Sequence, residues 1–267
     1  MEDGGIGDNA SMTEHVISER AGGVLSLTLN RPEKKNALTA DMYRRLGGAI
    51  DDASNDPDVR CILIQGSGDS FTAGNDLSDF AAMNAGDRER LGPNPFIAAL
   101  ARATTPLVAA VQGRAVGVGS TMLLHCDLVF VAEDARLSTP FVNLALVPEA
   151  ASSLLLPTRI GHVRAFAMFV LGETVDAPTA VAWGLANAVV PKEELHARAR
   201  AAASTVAAQP AAAVAITKRL MRDAAALAAQ IDQENHHFAA QLQSKEARAA
   251  FAAFRDRRRP DPPTSAR

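Results

Sequence analysis

Two apolar runs, each followed by a loop of small residues, limit most strongly how this chain can fold. They are VRCILIQ at residues 59–65 and PLVAAVQG at residues 106–113. A short run that is apolar at nearly every position and ends at turn residues is typical of a buried strand. Each run leads through a Gly-rich loop into a helical pattern, and this alternation of strands and helices predicts an α/β core.

The rest of the periodicity fits the same class. VLSLTLN, from Val24 to Asn30, alternates apolar and polar residues and predicts a half-buried strand. Thr39 is a suitable N-cap for a helix that we expect to run to about Ser54. LVFVAEDARLS at residues 128–138 predicts a pair of strands. The chain after Pro157 is helical in pattern, and from residue 193 to about 258 it is Ala-rich and helical.

Composition excludes several classes of protein. The 267 residues are 48% hydrophobic and 21% charged, which suits one large globular domain. The net charge of −3 leaves no concentrated excess of Lys and Arg for a nucleic-acid surface. No apolar run approaches the roughly 20 residues that span a bilayer, so we expect no membrane partner. The N-terminus lacks the apolar segment of a signal peptide, which favours a cytoplasmic location.

The two cysteines, Cys61 and Cys126, lie in apolar runs without metal-ligand spacing. We therefore expect buried thiols in a reducing compartment and no metal site.

Two loops carry the pattern that could support chemistry: FTAGND at residues 71–76 and GRAVGVGS at residues 113–120. Small residues let another group approach the backbone, and peptide N–H groups at a helix start lack partners. Two such loops side by side could direct two N–H donors at one oxygen, forming an oxyanion hole. Tight strand-to-helix turns without a catalytic role remain the alternative.

Other motifs do not fit the second loop. Gly117 and Gly119 are followed by Met122 where a dinucleotide-binding loop requires Gly. The G-x-S-x-G elbow of serine hydrolases also fails around Ser120. We expect His125 to lie on the packed side of a short helix rather than in a catalytic triad.

Four segments in this order resemble the crotonase family, the enoyl-CoA hydratase/isomerase superfamily: NRPEKKNAL, FTAGNDLSDF, VQGRAVGVGSTMLLHCDLVFVAEDARLSTPFVNLALVPE and AWGLANAVVP. The resemblance covers roughly residues 16–260. It implies an α/β crotonase (ClpP-like) spiral of ββα units with a helical C-terminal trimerisation region, assembled as a homotrimer or a dimer of trimers. Residues 1–14 would be a disordered lead-in, 15–200 the spiral core and 201–267 the α-helical C-terminal region.

The resemblance also implies the substrate and its contacts. The substrate would be an acyl-CoA thioester, and no separate cofactor is needed because coenzyme A is part of it. The backbone N–H groups of Ala73 and Val118 would hold the thioester oxygen. Lys34 or Lys35 would lie near the phosphates of coenzyme A. The family's loop contacts fall on Ala73 and Val118 again and on Gly74, Asn75, Asp76 and Leu77, and residues 79–95 would form a mobile wall of the acyl pocket.

Hydratases of the family use two glutamates, and the matching positions here carry Thr121 and Phe141. Glu149 is the carboxylate that remains, within NLALVPEAASSLLLP at residues 143–157. This segment resembles the Δ3,Δ2-enoyl-CoA isomerases, in which one glutamate moves a proton between C2 and C4. Apolar neighbours should raise the pKa of Glu149 toward neutrality, which suits a group that acts as both base and acid.

Three alternatives stay open at this point. Glu149 could be a helix-N-terminal acid after Pro148, stabilised by the helix dipole. The chain could be a hydratase, a hydrolase or a dehalogenase that uses Glu149 as base or nucleophile. It could also be a non-catalytic acyl-CoA-binding protein, which would not need Glu149.

Overall fold

The computed structural model describes residues 14–76 and 94–255. Four expectations therefore fall largely or wholly outside the described residues. They are the disordered lead-in before residue 14, the contact at Leu77, most of the pocket wall at 79–95, and the last twelve residues of the C-terminal region.

The described chain alternates strands and helices in its first two-thirds and is helical at its end. The strands are β1 Val16–Ala21, β2 Val24–Leu29, β3 Cys61–Gly66, β4 Leu107–Val111, β5 Arg114–Val116, β6 Leu128–Ala132, β7 Arg136–Ser138, β8 Val175–Asp176 and β9 Ala188–Val190. The α-helices are α1 Ala40–Asn55, α2 Pro95–Arg102, α3 Val118–Thr121, α4 Ser152–Ile160, α5 His162–Phe166, α6 Ala177–Ala182, α7 Leu195–Ala207, α8 Ala211–Leu220, α9 Ala224–Leu242 and α10 Lys245–Arg255. Short 3-10 turns at Pro32–Lys34, Met122–His125, Val142–Leu144 and Lys192–Glu194, and a π-helical turn at Ala167–Leu171, complete the described elements.

The strands form two sheets. The larger has the order β1-β2-β3-β4-β6-β9 and the smaller the order β5-β7-β8. In the larger sheet β1 is antiparallel to β2, and the other neighbours are parallel. The carboxyl ends of β3 and β4 therefore meet at one edge, and the two loops that follow these strands begin there.

Strand β3 is apolar from Cys61 to Ile64 because both of its faces are buried. Ile62 and Ile64 face the larger core cluster, which includes residues of α1 and α2. Cys61 and Leu63 face a second cluster that is closed by α7. Helix α7 buries Leu195 and a row of alanines at a spacing of four, Ala199, Ala203 and Ala207, so it can pack closely on the sheet.

Several expectations are confirmed. The α/β class is correct, the strands at 24–29, 61–66 and 107–111 lie within a residue or two of their predicted ranges, and Cys61 and Cys126 are buried. Thr39 is the N-cap of α1, because its side chain accepts a hydrogen bond from the Met42 N–H. Apart from these expectations, no helix in the described ranges has the length and apolarity needed to cross a membrane.

Three expectations are wrong or incomplete. The strands within residues 128–138 do not pair with each other, because β6 joins the larger sheet and β7 the smaller one. The helical segment expected after Pro157 begins earlier, at Ser152, and Pro157 lies inside it. No element was expected at Val16–Ala21, where β1 has mostly exposed side chains and is defined by its pairing with β2.

The boundary expected at 200/201 falls inside α7, whose residues pack on the sheet. The domain division thus stays a prediction. The later helices are also tied to the core, since the buried Lys218 of α8 donates to Thr105 O at 2.9 Å and to Asp127 Oδ2 at 2.7 Å.

Replacing Ile64 by Ala should lower the free energy of unfolding by about 2–5 kcal/mol, because the side chain is fully buried and its loss leaves a cavity. Val189→Ala on the edge strand β9 is the control, since Val189 is 36% exposed. Denaturant titration of both variants measures the difference. Equal losses for the two variants would contradict the described core.

Candidate active site

The loops that follow β3 and β4 lie against each other. Thr72 forms an isolated parallel bridge with Ala115, and the Val116 N–H donates to Thr72 O at 3.1 Å. The Phe71 N–H donates to Gln112 O at 2.7 Å. The two loops therefore lie side by side, which is the arrangement that an oxyanion hole would require.

Two glycines permit the contact. Gly74 has a φ of 87°, and a Cβ built on it would lie 2.6 Å from Val116 O. A Cβ on Gly119 would lie 2.5 Å from Thr72 Cγ2. Larger residues would therefore push the loops apart.

The expected role of Ala73 as an oxyanion donor is wrong in this structure, because its N–H already donates to Lys35 O at 2.8 Å. The neighbouring Asn75 is the better donor. Leu38 forms a parallel bridge with Asn75 by bonding to the two residues that flank Asn75. The Leu38 N–H donates to Gly74 O, and the Asp76 N–H donates to Leu38 O. In a parallel bridge of this kind the N–H of the central residue points away from the partner. Within the described residues the Asn75 N–H has no hydrogen-bond acceptor.

Val118 is the first residue of α3, so its N–H has no acceptor within the helix. Gly117 precedes it with a φ of 56° and donates its own N–H to Ser138 O at 2.9 Å. The Val118 side chain is fully buried. The loop thus leaves the Val118 N–H available as a donor, while its part in holding a thioester stays a prediction.

Glu149 lies in the segment between the turn Val142–Leu144 and α4, and it is 6% exposed. Its Oε1 has no hydrogen-bond partner within the described part of the chain. Burial, together with the smaller effect of the negative charge of Glu234, raises the pKa of Glu149 to about 8. The carboxyl is therefore largely protonated at neutral pH.

The alternative that Glu149 caps a helix does not fit. The N-cap of α4 is Ala151, and no side chain caps it from that position. The carboxylate at this helix start belongs to Glu234 of α9, which accepts from the Ala151 N–H at 2.6 Å and the Ser153 N–H at 2.9 Å. The side chain of Glu149 is left for another role.

The two positions that carry glutamates in hydratases provide no second acid. Thr121 is fully buried, and its Oγ1 has no partner among the described residues. Phe141 is buried, with its ring centroid 6.2 Å from that of Phe169. Its Cε1 would lie 4.0 Å from a Cβ built on Gly117, so the ring forms an apolar wall beside the second loop.

Tyr43 is a site residue that the sequence analysis missed. Its hydroxyl donates to Asn75 Oδ1, and its ring packs against Phe96 at a centroid distance of 6.0 Å. Burial raises the pKa of Tyr43 well above its usual value, and the charge of Glu149 adds to this. Tyr43 therefore connects the first loop with the surroundings of Glu149. Tyr43 lies on α1, far in sequence from both loops and from Glu149, so no sequence pattern indicated that it would reach the site.

The comparisons with known proteins agree with this geometry. The model of the enoyl-CoA hydratase/isomerase family matches residues 19–262. The chain belongs to this family.

The chain is 33% identical over 257 residues to the 1,2-epoxyphenylacetyl-CoA isomerase of Escherichia coli K12, covering 93% of this chain and 98% of that protein. It is 31% identical over 249 residues to a probable enoyl-CoA hydratase of Mycobacterium tuberculosis, covering 92% and 97%. A solved enoyl-CoA hydratase/isomerase from Pseudoalteromonas atlantica T6c superposes with a TM-score of 0.87 at 39% identity, covering 93% of this chain and 99% of that one. The fold is therefore the crotonase fold expected from the sequence.

The NRPEKKNAL turn contains the two lysines that the family resemblance places near the phosphates of coenzyme A. Lys34 and Lys35 are exposed, and Lys35 Nζ lies 2.5 Å from Asp69 Oδ2. The Asp76 carboxylate accepts from Arg31 at 3.0 Å in a largely buried ion pair, which ties the first loop to the NRPEKKNAL turn. Contacts of these residues with coenzyme A stay predictions.

His125 serves as a structural group, as expected. Its Nε2 lies 2.7 Å from Ala150 O, and its Nδ1 contacts Arg222. Burial and the Arg222 charge lower the pKa of His125 to about 3, so the ring is neutral and donates from Nε2 to the carbonyl. No group of three or more acidic, His or Cys side chains suited to a metal exists within the described residues.

Glu149 should make the stability of the protein depend on pH. Between about pH 4.5 and 8 the unfolded chain releases the Glu149 proton while the folded chain keeps it, so stability falls as the pH rises through this window. Glu149→Gln removes this dependence, and its stability relative to wild type should therefore increase from pH 5 to pH 8.5. Denaturant titrations at both values measure the change. A constant difference would contradict the raised pKa.

Gly74→Ala should destabilise the protein by about 1–3 kcal/mol, because alanine is strained at the φ of Gly74 and its Cβ meets Val116 O. Gly48→Ala on α1 is the matched control, since Gly48 is exposed and has open space around it. That control should be neutral or stabilising. Thermal unfolding compares the two, and a neutral Gly74→Ala would contradict the close contact of the loops.

Proposed function

We propose that this protein isomerises 3-enoyl-CoA thioesters to 2-enoyl-CoA thioesters, with Glu149 as the proton carrier. The observation that carries the proposal is the buried carboxyl of Glu149, whose pKa is raised and whose Oε1 has no partner among the described residues, combined with Thr121 and Phe141 where hydratases have acids. An isomerase needs one group that removes a proton and returns it. A hydratase needs further polar groups to hold and activate water.

The first step is the formation of a dienolate. The thioester oxygen accepts hydrogen bonds from the Asn75 and Val118 N–H groups, which stabilise the negative charge that develops on it. Each such donor is worth about 2.7–4 kcal/mol in an enzyme where it has been measured. The ionised Glu149 takes a proton from C2, and the electron pair of that C–H bond spreads over C2, C4 and the thioester oxygen.

The second step returns the same proton. Protonated Glu149 donates to C4, which forms a C4–H bond and leaves the double bond between C2 and C3. A pKa of about 8 suits both steps, because the carboxylate is basic enough to take the proton and the carboxylic acid still releases it near neutral pH. The apolar surroundings that raise the pKa also keep water from the dienolate.

The names of the relatives leave the reaction open, since one is an isomerase and another a probable hydratase. Hydration, hydrolysis or dehalogenation with Glu149 as base or nucleophile is the second candidate within the family. Its supporting observation is the unpaired Thr121 hydroxyl, which could hold a water. A binding protein without catalysis is less well supported, because it would carry a buried acid that costs stability without use.

The proposed assembly is a homotrimer or a dimer of trimers in the cytoplasm, as the resemblance implies. Large apolar side chains are exposed on the described surface, among them Val163 at 81%, Leu220 at 80% and Met221 at 82%. Such groups commonly mark surfaces buried by association. Light scattering after gel filtration gives the mass, and a monomer at micromolar concentration would refute the assembly.

Glu149→Gln should lower kcat for 3-enoyl-CoA by about 10²–10⁴-fold, because the amide cannot accept the C2 proton. Glu133→Gln is the control, since Glu133 is an exposed acid. The conjugated 2-enoyl product is followed by ultraviolet absorbance. Unchanged activity of Glu149→Gln would exclude the proton-carrier role.

Crotonyl-CoA offered to the wild-type protein tests the second candidate. We expect slow hydration compared with isomerisation, since the hydratase acids are absent. Rapid hydration would favour the hydratase, whereas binding of both thioesters without any turnover would favour the binding protein.

A further inference from the structure

The backbone directly after Glu149 has an unfavourable conformation. Ala150 and Ala151 both have positive φ, at 61° and 54°, although neither is a glycine. Two consecutive alanines in the left-handed region are costly and persist only where their surroundings hold them. The direction of the Glu149 side chain depends on this turn.

One side chain holds the turn from the C-terminal helices. Glu234 of α9 is 4% exposed and lies more than 80 residues away in sequence. Its Oε2 accepts from the Ala151 N–H, and its Oε1 accepts from both the N–H and the hydroxyl of Ser153. All three partners donate, as an ionised carboxylate requires. Burial raises the pKa of Glu234 above its usual value, and these donors act against that rise because they favour the ionised form.

The surroundings of the turn are apolar. Ala150 and Ala151 pack with Ile97 of α2 and with Leu227 and Ile231 of α9 in a separate core cluster. The helix that supplies the carboxylate therefore also covers the turn. A charge placed among these side chains stays only because its partners are fixed.

We propose that Glu234 is a positioning residue for the reaction: its carboxylate fixes the turn that directs Glu149 into the site. This inference rests on the proposed function of Glu149 as proton carrier. Glu234 touches no substrate, and it acts through the backbone of Ala151 and Ser153.

A second effect follows from the charge of Glu234, which faces Glu149 from α9. Among the described residues, Tyr43 of α1 interacts with the charge of Glu149, and the neutral ring of His125 contacts the carbonyl oxygen of the adjoining Ala150. The nearby cation Arg222 contacts Nδ1 of the His125 ring. The charge of Glu234 therefore disfavours the ionised form of Glu149 and supports its raised pKa.

The test compares Glu234→Gln with Asp232→Asn. Asp232 is an exposed acid on the same helix, so its variant removes the same charge without touching the turn. For Glu234→Gln we expect kcat for 3-enoyl-CoA to fall about tenfold or more with a smaller change of KM, because Glu149 is misdirected while the binding loops are intact. The pH midpoint of kcat should also move to lower pH. Asp232→Asn should match wild type in both.

A direct titration keeps this inference separate from the proposed function. Protein labelled with 13C at the glutamate δ-carbons gives a Glu149 signal, assigned by its absence in Glu149→Gln. Its midpoint should be lower in Glu234→Gln than in wild type even if no isomerase activity exists. Absence of wild-type isomerisation would thus refute the function alone, whereas an unchanged Glu149 midpoint together with wild-type kcat would overturn the role of Glu234.

Glu234→Asp covers the case that Glu234→Gln does not fold. It keeps the charge but is one methylene shorter, so it cannot reach both N–H groups. We expect a reduced kcat with a Glu149 midpoint close to that of wild type. Wild-type kcat in a folded Glu234→Asp protein would overturn the positioning role.

Discussion

Removing a carboxylate from water costs free energy unless its charge is balanced or its proton is retained. Glu149 is buried in this way, and the fold offers its Oε1 no donor among the described residues. The group responds by holding its proton to about pH 8. The residues around it come from α1, from the segment before α4 and from α9, so its burial depends on the complete fold.

The arrangement of the two loops that follow β3 and β4 also depends on contacts between distant parts of the chain. Parallel pairing of β3 and β4 brings the loops to one edge of the sheet, and Gly74 and Gly119 let their backbones touch. The carbonyl oxygens of Lys35 and Leu38 then accept hydrogen bonds from the N–H groups of Ala73 and Asp76. The Asn75 N–H between them has no acceptor among the described residues. Hydrogen bonds between segments, rather than the loop sequence, thus decide which backbone N–H remains available to bind a substrate oxygen.

The C-terminal helices and the turn between α8 and α9 contact the core and the backbone beside Glu149. Lys218 ties α8 to the sheet through Asp127, and Arg222 supports His125 against the turn after Glu149. Glu234 completes this support from α9. The Ala-rich C-terminal region therefore carries three buried or partly buried polar side chains, those of Lys218, Arg222 and Glu234, that bond to the core.

The sequence by itself determined the α/β class, the central strands, the cap at Thr39 and the two loops, because these depend on local periodicity and on residue types that suit one conformation. It also singled out Glu149, because an isolated acid in an apolar segment is visible without coordinates. These features need information from only a few neighbouring residues.

The tertiary structure alone decided the separation of β6 and β7 into two sheets, the replacement of Ala73 by Asn75 as the free donor, and the approach of Tyr43 and Glu234 to the site. Each depends on groups that lie far apart in the chain and meet only after folding. A hydrogen bond such as that from Ala73 N–H to Lys35 O changes what a residue can do without changing its sequence motif. Local patterns cannot report such contacts, since their partners lie outside any window of the sequence.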